Sequence, residues 1–130
     1  MKILDSHALM VYLEKEPGYE KVRNILTAAA EADQPCLMTY VNWGEILYVT
    51  YREHGPAKTE EIMDLIATFP IVMVEVDGEI ARQAALLKAT RKMSYADCFS
   101  AALAKLKKTE LVTGDKEFRA VEPDIRVLWI

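Results

Sequence analysis

Four carboxylates stand where they could work together. Asp5 ends the short apolar run Ile3-Leu4, and Asp115 follows Leu111-Val112-Thr113-Gly114. Asp97 falls in the first turn of a helical stretch that opens at Ser94, and Glu45 lies inside an otherwise apolar one. Three of the four have an ordinary explanation when taken singly. Asp5 and Asp115 fit helix N-caps, where an aspartate contributes roughly 1 kcal/mol. Ser94-Tyr95-Ala96-Asp97 fits a capping box, with Asp97 reaching back to a backbone N–H. Glu45 does not reduce so easily. Its helix neighbours are Val41, Tyr48 and Val49, and no Lys or Arg stands three or four residues away. Desolvating that carboxylate requires a compensating partner. Asn42, one turn earlier, can orient it but cannot neutralise it; a position at the solvated edge of the helix is the alternative.

Carboxylates that converge repel one another unless a cation sits among them. Hard oxygen donors without a His or Cys cluster select Mg²⁺ or Mn²⁺. The only histidines, His7 and His54, have no metal-ligand spacing, which argues against zinc. His7 can reach the rim of such a site but reads more simply as a solvated helical residue. Cys36 and Cys98 are far apart with no CxxC spacing, as in a cytosolic protein with reduced thiols.

The elements that would position these acids alternate. Residues 2–5 read as a strand, 6–15 and 19–32 as helices, and 35–38 as a second strand. Thr39 opens a helix to about Glu53, His54-Gly55-Pro56 interrupts it, and a further helix runs to about Thr68. A strand over 71–75 precedes helices over 77–91 and 94–108. The strand 111–113, a helical turn over 115–119 and a last strand over 125–129 complete the chain. Such alternation indicates an α/β fold, a single-domain α/β/α sandwich with a mostly parallel central sheet spanning residues 1–130. In such sheets ligands gather at the carboxyl ends of the strands.

Composition supports this reading. At 130 residues with 52% hydrophobic residues and only 5 Gly and 5 Pro, the chain has material for a core. A formal net charge of −4 argues against coating nucleic acid by bulk charge, though not against an enzyme that clusters acids in one place. No apolar run approaches the ~18 residues of a membrane span, and Asp5 and His7 interrupt any signal-peptide core.

The sequence resembles the PIN-domain ribonucleases, and among them the VapC-like toxins of type II toxin–antitoxin pairs. The resemblance rests on Asp5-Ser6, on Asn42-Trp43-Gly44-Glu45, on the stretch Ala96-Asp97 to Ala104, and on Leu111-Val112-Thr113-Gly114-Asp115-Lys116-Glu117-Phe118. It covers nearly the whole chain in the family's order. It implies a cytoplasmic, Mg²⁺- or Mn²⁺-dependent endoribonuclease in which Asp5, Glu45, Asp97 and Asp115 are both catalytic and metal-binding. Ser6 and Thr113 match the family's supporting hydroxyls, with Asn42 beside Glu45 in support, and Glu117 falls where some members carry a further acid. Gly44 departs from the pattern and suggests close backbone approach. RNA would be held by Lys116 and Arg119 near Asp115, and by Arg91 and Lys92, although cations at helix ends are also ordinary solvated surface. The resemblance further implies a cognate antitoxin, whose amphipathic helix would use part of the apolar surface carrying Leu9, Met10, Leu13, Ile46, Leu47 and Tyr48. A homodimer, or a hetero-oligomer with the antitoxin, is implied as well. Two rivals follow from the same residues: a PIN-like RNA-processing nuclease without an antitoxin, and a non-catalytic RNA- or protein-binding domain. A haloacid-dehalogenase-type phosphatase also begins on a strand-end aspartate, but needs a second aspartate where His7 stands.

Overall fold

The computed structural model describes residues 1–130. Five strands, β1 (Ile3–Leu4), β2 (Cys36–Thr39), β3 (Ile71–Val74), β4 (Leu111–Thr113) and β5 (Val127–Trp129), form one sheet in the order β3-β2-β1-β4-β5. Every pairing is parallel, with Ile3 beside both Leu37 and Leu111. The helices are α1 (Ser6–Glu14), α2 (Tyr19–Glu31), α3 (Tyr40–Ile66), α4 (Gly78–Thr90) and α5 (Tyr95–Lys107), and a 3₁₀ turn covers Lys116–Val121.

The central strands are apolar throughout because both faces are covered. Side chains along them alternate between two cores. Ile3, Leu37 and Leu111 pack with Ile80, Leu87, Phe99, Leu103 and Phe118 from α4, α5 and the 3₁₀ turn. Leu4, Met38 and Val112 pack with Leu9, Val22, Leu26, Ile46 and Ile66 from α1, α2 and α3. The result is the α/β/α sandwich expected. The α3 stretch is two helical segments, as expected, meeting at a kink where Gly55 leaves the helical conformation with a φ of 84° that few other residues adopt. Pro56 then restarts the helix, where its missing N–H has no partner to lose.

The strand order has a functional consequence. From β1 the chain steps outward through β2 to β3, then crosses back to β4 on the other side of β1. The order therefore reverses between β1 and β4. At such a switch point the following loops part, leaving a crevice at the carboxyl ends of the strands. Asp5 follows β1 and Asp115 follows β4.

Candidate active site

Asp5 is fully buried at that crevice. It is the N-cap of α1, accepting the Ala8 N–H at 2.8 Å, and its second oxygen accepts the Thr113 hydroxyl at 2.6 Å. The helix cap and the candidate site acid are thus the same residue. Burial pushes the Asp5 carboxyl up to about 7, against the two hydrogen bonds that lower it; the negative Asp115 and Glu45 add to the rise. Thr113 does more than hold Asp5, because its Oγ1 also accepts the Asp115 N–H at 3.0 Å. One buried hydroxyl thereby fixes two acids on neighbouring strands.

Asp97 is 5% exposed on the first turn of α5. Ser94 caps that helix by accepting the Asp97 N–H at 3.3 Å, the first half of a capping box. The second half is not formed. The Asp97 carboxyl is turned toward the Glu117 carboxyl and the Ser94 side chain, and burial, then Glu117, raise it to about 8. Asp115 caps the 3₁₀ turn through the Glu117 N–H at 3.0 Å, which brings the Glu117 side chain round to the same place. One carboxylate oxygen each from Asp97, Asp115 and Glu117 lies within 4.8 Å of the others. Glu117, the acid the sequence supported least, is as close to this group as the rest. Glu45 is half-buried and accepts the hydroxyl of Ser6, the residue after Asp5.

Two expectations about this region need correction. Asn42 does not orient Glu45. It is fully buried, takes the Thr39 hydroxyl on its Oδ1, and donates from Nδ2 to the Ala96 carbonyl at 3.0 Å. It therefore pins the start of α3 to the start of α5, one residue before Asp97. An amide buried that deeply must place both its donor and its acceptor, and these were the partners in reach. Gly44, expected to mark a close approach, has open space around it.

Among the candidate cations, Arg91 is engaged elsewhere: its guanidinium donates to Asp124 at 2.9 Å. The pair is exposed, so an RNA phosphate would compete with Asp124 for that guanidinium. Lys92, Lys116 and Arg119 are exposed and belong to no ion pair. Of the apolar surface expected to be in excess, Leu9 and Ile46 are fully buried core. Met10, Leu13 and Leu47 are half-buried, and Tyr48 is 48% exposed. His7 is an exposed residue of α1, as expected, and it does reach the rim. Its ring Nδ1 accepts the Gly114 N–H at 3.3 Å, next to Asp115.

The donor set fits a divalent cation. None of the molecule's ion pairs involves Asp5, Glu45, Asp97, Asp115 or Glu117, so no lysine or arginine neutralises them. Two buried carboxyls in this group have their charged forms disfavoured, which is how oxygen ligands behave when the charge that balances them is not a side chain. All donors are hard oxygens, as Mg²⁺ or Mn²⁺ require.

Comparison with known proteins agrees with this architecture. Solved structures of similar fold include VapBC2 from Rickettsia felis bound to a DNA fragment from its promoter, with a TM-score of 0.80 at 15% identity, covering 99% of this chain and 98% of that one. DNA-bound VapBC from Salmonella typhimurium gives 0.78 at 16% identity, covering 98% and 96%. VapC20 from Mycobacterium tuberculosis, a sarcin-ricin-loop-cleaving toxin, gives 0.69 at 15% identity, covering 93% and 95%. At these identities the likeness is one of fold. No curated protein matches the chain by sequence. The PIN domain family matches residues 2–122. With that match over nearly all of the chain, and with its acids gathered at the switch point of a parallel sheet, the protein belongs to the PIN domain family.

Proposed function

We propose that the chain acts as one nuclease domain, a Mg²⁺- or Mn²⁺-dependent endoribonuclease that is the toxin of a toxin–antitoxin pair. The observation that carries the reading is the meeting of Asp97, Asp115 and Glu117, with carboxylate oxygens within 4.8 Å of one another, beside the buried Asp5 at the crevice between β1 and β4 and without a basic partner. Asp5, Asp97 and Asp115 would hold the ion, with Glu45 facing it and Glu117 available as a further ligand. When bound, the ion supplies positive charge for the scissile phosphate and the leaving oxygen and acidifies the attacking water.

The chain's own residues do the rest. Thr113 and the Ala8 N–H hold the Asp5 carboxylate, Ser6 holds Glu45, and Asn42 holds the helix start that carries Asp97. Glu45 and Asp97 are the acceptors in place to take the proton of the attacking water. Lys116, Arg119 and Lys92 stand free to meet backbone phosphates.

The antitoxin reading is supported by the toxin–antitoxin complexes among the structural neighbours. A groove lined by Tyr12, Leu13, Tyr19, Leu65 and Phe69, with Lys15 and Arg23 at its edge, offers an apolar floor to an amphipathic helix. No helix is long and apolar enough to cross a membrane. We place the protein's action in the cytoplasm, as a homodimer or in a complex with the antitoxin. The test is inducible expression with mapping of RNA ends, beside cleavage of total RNA by the purified chain with and without Mg²⁺. The reading stands if cleavage needs the metal and is lost in Asp97→Asn. Cleavage by both proteins in EDTA would overturn it.

A further inference from the structure

The proposed metal site leaves one contact unassigned, that between His7 and Gly114. The three residues after β1 each send a side chain to a different part of the crevice. Asp5 takes the Thr113 hydroxyl and Ser6 donates to Glu45. His7, one residue further into α1, accepts the Gly114 N–H on Nδ1. The ring also fills the space above Gly114: a Cβ built there would stand 2.8 Å from His7 Cε1, 3.3 Å from Nδ1 and 3.4 Å from Ile130 Cγ1. Cβ atoms essentially never sit that close to another heavy atom, so a side chain at 114 would push the exposed His7 ring out of this position.

Glycine has a cost in return. It allows the backbone more conformations than any other residue, here at the link between Thr113 and Asp115. Thr113 is fixed by Asp5, and Asp115 by Thr113 Oγ1 and the Glu117 N–H. The Gly114 N–H between them has the His7 ring as its partner.

We propose that His7 is a positioning residue: it ties Gly114 and so fixes the direction in which Asp115 enters the site. The proposal rests on the reading of Asp115 as a site acid, and it assigns His7 no contact with substrate. Nδ1 works as an acceptor, and the ring works as a spacer against Gly114. An asparagine at position 7 carries an acceptor oxygen where Nδ1 stands, whereas a glutamine carries its amide one bond too far out.

The test uses the full chain with His7→Ala, His7→Asn and His7→Gln. Amide hydrogen exchange at Gly114 is read by NMR without metal, and Mn²⁺ affinity is read by electron paramagnetic resonance. In His7→Ala, exchange at Gly114 is expected to rise by about tenfold or more over wild type. Mn²⁺ affinity is expected to fall by about tenfold, as when outer partners of ligands are removed. His7→Asn should recover most of both, and His7→Gln should not. Gly114→Ala should weaken Mn²⁺ binding in the wild type but add little to His7→Ala, because the colliding ring is already gone. The proposal falls if Gly114 stays as protected in His7→Ala as in wild type. It also falls if Gln rescues and Asn does not, or if the His7→Ala and Gly114→Ala losses add in full. A wild-type chain that binds no Mn²⁺ overturns the metal reading instead, and the exchange measurement still decides the tether.

Discussion

Two groups of acids on this molecule differ in almost everything except composition. One lies at the crevice: Asp5, Asp97, Asp115 and Glu117, with Glu45 across from them. The other lies on the surface, where Glu14 and Glu16 at the end of α1 meet Glu53 and His54 near the break in α3. In both, a carboxyl is raised above its usual range. For Glu14 the first cause is the shared hydrogen bond with Glu16, and burial comes second. For Asp5 and Asp97 burial comes first. The surface acids can turn away into water, and His54 offsets part of their charge. The crevice acids are fixed by Thr113, Ser6, Ala8 and backbone N–H groups, and no side chain offsets them. Repulsion that is merely tolerated on a surface is, in the crevice, built into fixed geometry. That difference is the ground for proposing a site in the crevice.

The strongest way to break the comparison is to neutralise one acid in each group. Asp5→Asn and Asp97→Asn are expected to lower RNA cleavage by about a thousandfold or more, since groups that act as a unit fail together. Glu14→Gln is expected to leave cleavage unchanged. Both crevice variants should fold, because each removes a buried charge and retains a hydrogen-bonding group; circular dichroism and thermal melting check this. Equal cleavage by the Asp97→Asn and Glu14→Gln variants would mean that the crevice acids do no chemistry.

Metal addition separates the groups next. At a Mg²⁺ concentration a hundredfold above its dissociation constant, the wild type gains about 2.7 kcal/mol, or a rise in Tm of roughly 10 °C for a domain of this size. The gain should vanish in Asp97→Asn and persist in Glu14→Gln. The same ion reverses a pH dependence. Asp5 is raised from 3.8 to about 7 and Asp97 from 3.8 to about 8, so without metal both favour the folded state while protonated. That contribution is fully present below about pH 4 and is lost as pH rises through 7 and 8. The metal-free chain should therefore melt lower at about pH 8.5 than at about pH 5.5. Bound ion needs the deprotonated carboxylates, so the stabilisation by Mg²⁺ should grow across the same interval. A melting temperature without metal that rises through this window would show that burial does not govern these acids.

Much of this site was legible in the sequence because its acids follow local rules. Asp5 and Asp115 end apolar runs before helical turns, and strand–helix alternation fixes which ends of the strands they share. Glu45 drew attention because no Lys or Arg stands three or four residues from it on its helix. Contacts between distant parts of the chain left no such trace. Ser6 meets Glu45 across 39 positions, Asn42 meets Ala96 across 54, and His7 meets Gly114 across 107. Nothing in a helical period or a cap motif encodes these pairings, which is why Asn42 was assigned to the neighbour one turn away. The Arg91 pairing left no trace either, since its partner Asp124 lies beyond the next helix and strand. Gly114 was the available clue to His7: a glycine inside Leu-Val-Thr-Gly-Asp signals that something stands close to the backbone.

Asn42 tests the structural half of the comparison. Asn42→Leu would take from the Thr39 hydroxyl its acceptor and from the Ala96 carbonyl the Asn42 Nδ2 donor, while the Asn42 N–H cap on Thr39 Oγ1 stays, at a cost of about 1–3 kcal/mol. It should also weaken Mn²⁺ binding, because the helix start carrying Asp97 loses its tie to α3. A loss of stability with unchanged Mn²⁺ affinity would confine Asn42 to packing.

The smallest effect is expected at Glu16. Replacing it by glutamine removes the charge beside Glu14 but keeps a hydrogen-bonding partner, so the Glu14 carboxyl should return toward its ordinary range. The substitution removes the repulsion between these two exposed side chains and should stabilise the fold by no more than about 0.5 kcal/mol. Because both side chains are exposed, added salt does the same work as the mutation: at ~1 M the screening length falls to ~3 Å and the difference between the two proteins should disappear. The buried Asp97 offers salt no comparable access, so the cleavage lost in Asp97→Asn should persist at any ionic strength. A salt-resistant effect at Glu16, or a change in Mn²⁺ affinity there, would mean that the surface acids are coupled to the crevice through α1, the helix that begins at Asp5 and ends at Glu14.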